Sequence, residues 1–127
     1  MTWTTRPRSK LGGLAAIRAG EGPPIVLIHG VGLTADSWAG QIDALGARFA
    51  VASVDLPGHG ESPRLATDAP LEAWIDILIR SIAPLGAPVL LAGHSLGALL
   101  ALHCVARRPD QIVGAAMLNV IHRRSPT

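Results

Sequence analysis

The sequence predicts an α/β fold, a mostly parallel, doubly wound sheet with flanking helices. Three observations carry that expectation. Short unbroken apolar runs, Ile25-Val26-Leu27-Ile28, Val89-Leu90-Leu91-Ala92 and Ile112 to Val120, read as strands covered on both faces. Stretches with helical spacing lie between them, so strands and helices alternate along the chain. Loops rich in glycine or turn residues follow the strands that end near Ile28, Val54 and Ala92. In a sheet of this kind the carboxyl ends of the strands are where the chemistry gathers.

Taken in order, Leu14-Ala15-Ala16-Ile17 is a weak strand, ended by Gly20-Glu21-Gly22-Pro23-Pro24. The strand at Ile25–Ile28 runs into the loop His29-Gly30-Val31-Gly32-Leu33-Thr34. Thr34 or Asp36 can cap a helix through Trp38, Ile42 and Leu45, whose spacings of four and three give one apolar face, and Gly46 closes it. Phe49 to Val54 is the next strand, followed by the turn-rich Asp55-Leu56-Pro57-Gly58-His59-Gly60-Glu61-Ser62-Pro63. Leu71, Trp74, Ile75, Leu78 and Ile82 mark an amphipathic helix that stops at Pro84. The strand from Val89 then breaks at Gly93-His94-Ser95-Leu96-Gly97 and restarts as a helix, since Ala and Leu lead the helix propensities and neither Gly nor Pro interrupts residues 98–108. Ile112 to Val120 is a final strand.

Composition narrows the function. The chain of 127 residues suits one domain able to bury a core. Apolar residues make up 49% and charged ones 16%, which excludes disorder. Eleven basic against nine acidic residues give +2, too little to imply a nucleic-acid or membrane partner. Arg6-Arg8-Lys10, Arg107-Arg108 and Arg123-Arg124 read as solvated termini and helix ends. The lone Cys104 rules out an internal disulfide and, inside an apolar helix, reads as a small core residue. The first ten residues have no signal-peptide core, and no apolar run reaches the ~20 residues of a membrane span. These features predict a soluble, cytoplasmic chain with neither metal nor cofactor.

The residue pattern around Ser95 points to nucleophilic chemistry. A sharp strand-to-helix turn holds a serine in a sparsely populated backbone region and lifts its hydroxyl clear of the sheet. Gly93 and Gly97 flank it because strand and helix pass too closely for a side chain. The helix N-terminus favours an oxyanion forming there. The alternative is a tight glycine turn whose serine only caps the helix. Gly30 and Gly32 would let their loop approach closely and aim its N–H groups inward. Asp55 is expected to bond backbone within its turn rather than to take part in chemistry.

With these three segments in place, the chain resembles the α/β-hydrolase superfamily in its esterase-like branch, over residues from about 11 to 121 and only through the family's first half. The resemblance implies that Ser95 is the nucleophile and that the backbone N–H groups of Val31 and Leu96 form the oxyanion hole. His29, Gly30, Gly32, Gly93, His94 and Gly97 would support those loops, with His94 turned away from Ser95. It also implies a triad acid and histidine further along the chain. Here Asn119 stands where some members carry an early acid, and His122 is the remaining candidate base, since His29 and His59 belong to loop motifs and His103 is mid-helix. The acid, the histidine and the lid are therefore expected outside this chain, which would leave residues 1–127 nearly inactive. The implied substrate is a small ester, thioester, lactone or amide. Ile112 to Val120, left as an exposed edge strand apolar on both faces, is expected to recruit a partner, a complementing C-terminal fragment or a second copy. Two alternatives stand beside this reading: a haloperoxidase-like, dehalogenase-like or lyase relative, and a non-catalytic remnant or binding module. Dehalogenases carry a carboxylate where Ser95 stands, which disfavours that branch.

Overall fold

The computed structural model describes residues 5–118. Six strands form one sheet: β1 (Ser9–Leu11), β2 (Leu14–Ala19), β3 (Pro24–Ile28), β4 (Ala50–Val54), β5 (Val89–His94) and β6 (Ile112–Leu118). Their spatial order is β1-β2-β4-β3-β5-β6. β4, β3, β5 and β6 run parallel, whereas β2 meets β4, and β1 meets β2, antiparallel. Three helices connect the parallel strands: α1 (Ala39–Leu45), α2 (Leu71–Ile82) and α3 (Leu96–Arg107). The chain leaves β3 through α1 to β4 on one side, then returns past β3 through α2 to β5 on the other. The order therefore reverses between β3 and β5, and the crevice beyond their carboxyl ends is the switch point of the sheet.

Apolar residues on both faces of the strands explain why this sheet needs helices above and below. Along β3, Val26 and Ile28 join a cluster with Ile75, Leu78 and Ile82 of α2 and Leu100, Ala101 and Cys104 of α3. Leu27, between them, joins Trp38 and Ile42 on the opposite face, with Val51 and Ile17. In register, Val26 pairs with Ala52 on one side and Leu91 on the other, so one face stays continuous across three strands. A period of two in the strands is thus matched to two separate helical coverings.

The expected elements are present, with boundaries moved by a residue or two. The helix after the first glycine loop begins as a 3₁₀ turn over Ala35–Trp38, and Thr34 is its cap, accepting the Asp36 N–H at 3.3 Å. β1 has no sequence signature: three residues folding back on β2 across Gly12-Gly13 carry too little pattern. The reading of Arg8 as a solvated residue is also corrected. Its guanidinium is 4% exposed and pairs with Asp55 at 2.9 Å and Asp36 at 2.7 Å, because the segment before β1 lies over the end of β4. The expected continuation of the last strand to Val120, and Asn119 and His122, fall outside the described residues.

Candidate active site

β5 ends by turning directly into α3. Ser95, at the joint, has φ +58° and ψ −116° and is the one described residue other than glycine with positive φ. An L-residue adopts that region at a cost of about 1–3 kcal/mol, borne here by packing on either side. A Cβ on Gly97 would stand 2.7 Å from the His29 carbonyl oxygen and overlap that of Ile28, so α3 sits directly against the end of β3. A Cβ on Gly93 would lie 2.6 Å from the Ala98 nitrogen and overlap the Gly97 carbonyl. These two contacts are the close passage expected from the glycine spacing.

The serine hydroxyl makes no cap bond to its own helix. The Ser95 carbonyl instead accepts from Ala98 N–H at 3.0 Å and Leu99 N–H at 3.3 Å. The N–H groups of Leu96 and Gly97, in the first turn, precede that ladder, as at any helix start. The Ser95 N–H donates to the Leu118 carbonyl at 3.0 Å, which fastens the turn to the end of β6. A serine that only caps its helix does not describe this arrangement.

The loop after β3 packs against the same serine. A Cβ on Gly30 would meet Ser95 Cβ and His94 Nδ1, each at 3.1 Å, so that glycine serves close approach. Gly32 lies in open space instead: beyond its chain neighbours nothing lies within 4 Å of its Cβ position, and its φ of +79°, a matter of loop geometry, is what requires glycine. Val31, between them, is 69% exposed.

Two imidazoles pin this loop to the one after β4. The His29 Nδ1–H donates to the Gly30 carbonyl at 2.7 Å, and its Nε2 accepts the Leu56 N–H at 3.0 Å. Burial lowers the His29 pKa, against the pull of the Gly30 hydrogen bond, so the ring is neutral. His59 repeats the pattern, with Nδ1 against the Pro57 carbonyl at 3.0 Å and Nε2 accepting the Gly32 N–H at 3.1 Å. Both histidines thus spend both nitrogens on backbone, as their reading as loop residues requires. Asp55 is fully buried. It accepts the Ala35 N–H at 2.8 Å, the Glu61 N–H at 3.1 Å and the Arg8 guanidinium. Burial alone would raise its pKa, but those donors and the Arg8 charge together hold it below the usual carboxylate range. Cys104, on the buried face of α3, has its thiol pushed up to about 11 by burial.

A cavity of about 200 Å³ lies beside the turn, lined by Leu33, Ser37, Trp38, Gln41, His94 and Leu118. His94 therefore forms part of its wall on the α1 face. Ser37 and Gln41 had no sequence signal, because they are polar residues on a helix read only for its apolar face. A larger cleft of about 600 Å³, between Asp76, Arg80 and Arg107, lies at the far end of α3, some 18 Å of helix from Ser95. It plays no part in this site. Among the described residues no group of His, Cys, Asp and Glu is placed to hold a metal ion, and no helix is long and apolar enough to cross a membrane.

These strands and loops are shared with known proteins. The (E)-2-((N-methylformamido)methylene)succinate hydrolase of Acinetobacter baylyi is 45% identical over 107 residues, 84% of this chain and 41% of that protein. The pimeloyl-[acyl-carrier protein] methyl ester esterase of Chromobacterium violaceum is 44% identical over 100 residues, 78% of this chain and 37% of that one. The chain thus spans about two fifths of the length of these curated relatives. A thermophilic esterase from Thermogutta terrifontis superposes with a TM-score of 0.81 at 27% identity, over 95% of this chain and 48% of the esterase. The model of the Alpha/beta hydrolase family matches residues 25–125, from β3 through the serine turn and beyond β6. A match of that extent, over the very elements that build the site, makes this chain a member of the Alpha/beta hydrolase family.

Proposed function

We propose that residues 1–127 are the nucleophile-bearing, N-terminal portion of a serine hydrolase core. The observation that carries this reading is Ser95 itself, held at positive φ with its hydroxyl free of any helix cap and the Gly30 loop packed on its Cβ. Ser95 Oγ attacks a substrate carbonyl carbon and forms a tetrahedral adduct. The negative charge on the former carbonyl oxygen is met by the N–H groups of Leu96, at the helix start, and Val31, in the facing loop. A histidine oriented by a carboxylate, both assigned outside the described residues, takes the Oγ proton and passes it to the leaving group. Water then releases the acyl group by the reverse sequence. His29 and His59 are not that base, since backbone occupies both nitrogens of each.

The substrate class is a small ester, thioester, lactone or amide. The names of the two relatives, a hydrolase of a substituted succinate and a methyl ester esterase, lie within it. The 200 Å³ cavity beside the turn, walled by His94 and Leu118 rather than by Ser95 itself, has a volume equal to about seven water molecules, room for a small group near the serine. The single reduced cysteine fits a cytoplasmic setting. In a protein completed by a C-terminal half with a triad acid and histidine, Ser95→Ala should lower turnover of a short nitrophenyl ester by several orders of magnitude while leaving the unfolding midpoint in place. Labelling of Ser95 by a fluorophosphonate should vanish in the same variant. Retention of most turnover would overturn the assignment.

A further inference from the structure

We propose that His59 is a positioning residue for the oxyanion loop: its lone pair at Nε2 holds the Gly32 N–H and thereby fixes where the adjacent Val31 N–H points. The inference rests on Val31 being an oxyanion donor, as proposed above. The tautomer follows from the partners. A carbonyl can only accept, so Nδ1, 3.0 Å from the Pro57 oxygen, carries the hydrogen, and Nε2, 3.1 Å from the Gly32 nitrogen, carries the lone pair. One imidazole therefore clamps two loops that lie 27 positions apart in sequence.

The surroundings show why such a clamp matters at this point. Gly30 is packed on Ser95, but beyond its chain neighbours no atom lies within 4 Å of a Cβ position on Gly32, and the Val31 side chain is largely in solvent, so packing does little to hold residues 31–32. Its internal bond, Leu33 N–H to the Gly30 carbonyl at 3.2 Å, sets the turn but not its direction. The imidazole has a firm seat of its own. Its ring centre is 5.1 Å from that of His29, and it meets Trp74 edge-on at 6.4 Å. An oxyanion donor is useful only when it is already aimed at the place where charge develops, because reorienting it during the reaction cancels the gain. His59 supplies that aim without touching substrate.

The test needs two readouts. In residues 1–127 labelled with ¹⁵N, the histidine spectrum should show His59 with its hydrogen on Nδ1, and the Gly32 amide, although its bond lies at the surface, should exchange more slowly than an unbonded amide. A hydrogen on Nε2 would overturn the proposal with no variant required. His59→Leu, which keeps bulk but has no lone pair, should open Gly32 exchange while the Val26 amide in β3 stays protected. His59→Gln, whose amide oxygen can accept, should restore much of that protection; a Gly32 amide still protected in His59→Leu would sink the idea. In the completed protein, His59→Leu should lower kcat by about 10- to 100-fold, short of or equal to the loss of a whole donor, with KM changed less than about threefold. His59→Gln should recover most of the rate. Opened exchange with an unchanged kcat would show that the clamp exists but does not serve catalysis, which also overturns the proposal. If Ser95→Ala retained turnover, the serine reading would fall instead, and the two failures are therefore distinguishable.

Discussion

Single residues show how one amino-acid type serves unrelated ends within a few ångströms. Gly97 is glycine because backbone carbonyls of Ile28 and His29 occupy the space of a side chain, and backbone cannot step aside. Gly32 is glycine because its φ is +79°, with open space around it. Gly97→Ala should therefore cost several kcal/mol or prevent folding, since relief requires moving α3 off the sheet. Gly32→Ala should cost about 1–2 kcal/mol, the conformational penalty alone. Urea denaturation of both variants checks the contrast, and similar losses would refute it. The Gly-x-Ser-x-Gly pattern was legible in the sequence because strand, turn and helix are contiguous there. The Gly32 N–H to His59 bond was not, since a hydrogen bond between two loops leaves no periodic trace.

At the scale of elements, the ion pair of Arg8 fixes the first strands over the end of β4. Arg8 reaches Asp55 across 47 positions and Asp36 across 28, so nothing in the local sequence distinguishes it from the more exposed Arg6 two residues earlier. This is also why β1 escaped a reading based on pattern: tertiary pairing, not propensity, places it. Removing Arg8 would leave the buried Asp55 carboxylate without its cation. Arg8→Ala should then cost about 3–5 kcal/mol at pH 7. The pH dependence follows from the shifts. Asp36 and Asp55 are held below the usual range in the folded chain, so the unfolded state takes up protons first as pH falls. Their contribution is complete above about pH 5 and is lost on the way down through the depressed folded values. His29 acts in the same direction at higher pH. Its pKa is lowered by burial, so stability begins to fall once pH drops below about 6.5, where the unfolded histidine charges and the buried one does not. Urea midpoints at pH 7, 5 and 3.5 should show the Arg8→Ala deficit shrinking with acid, because a protonated Asp55 no longer needs a cation. A deficit constant with pH would mean that Arg8 acts through packing alone.

For the whole molecule, the parallel strands and their helices were readable because each strand is apolar on both faces, and that pattern is local. The order of the strands was not written in any one segment. It follows from two crossovers, one through α1 and one through α2, which place β3 and β5 side by side and so bring the Gly30 loop to Ser95. The same topology leaves β6 at the edge of the sheet among the described residues. Val113, Met117 and Leu118 on that strand, with Leu99 and Leu102 on α3, are exposed apolar side chains beside a row of backbone groups open to pairing. An edge of that length, apolar and without an inward charge, recruits another strand. Pairing of this edge with a second copy of residues 1–127 is therefore the expected outcome. Light scattering at micromolar concentration should give a mass of at least two chains. Met117→Lys, which puts a charge on the edge without disturbing a buried residue, should shift the population toward monomer and slow aggregation. Addition of a separately expressed C-terminal half should compete with self-association and restore ester turnover. A wild-type chain that stays monomeric at those concentrations would show that β6 is protected from pairing by something other than a further strand.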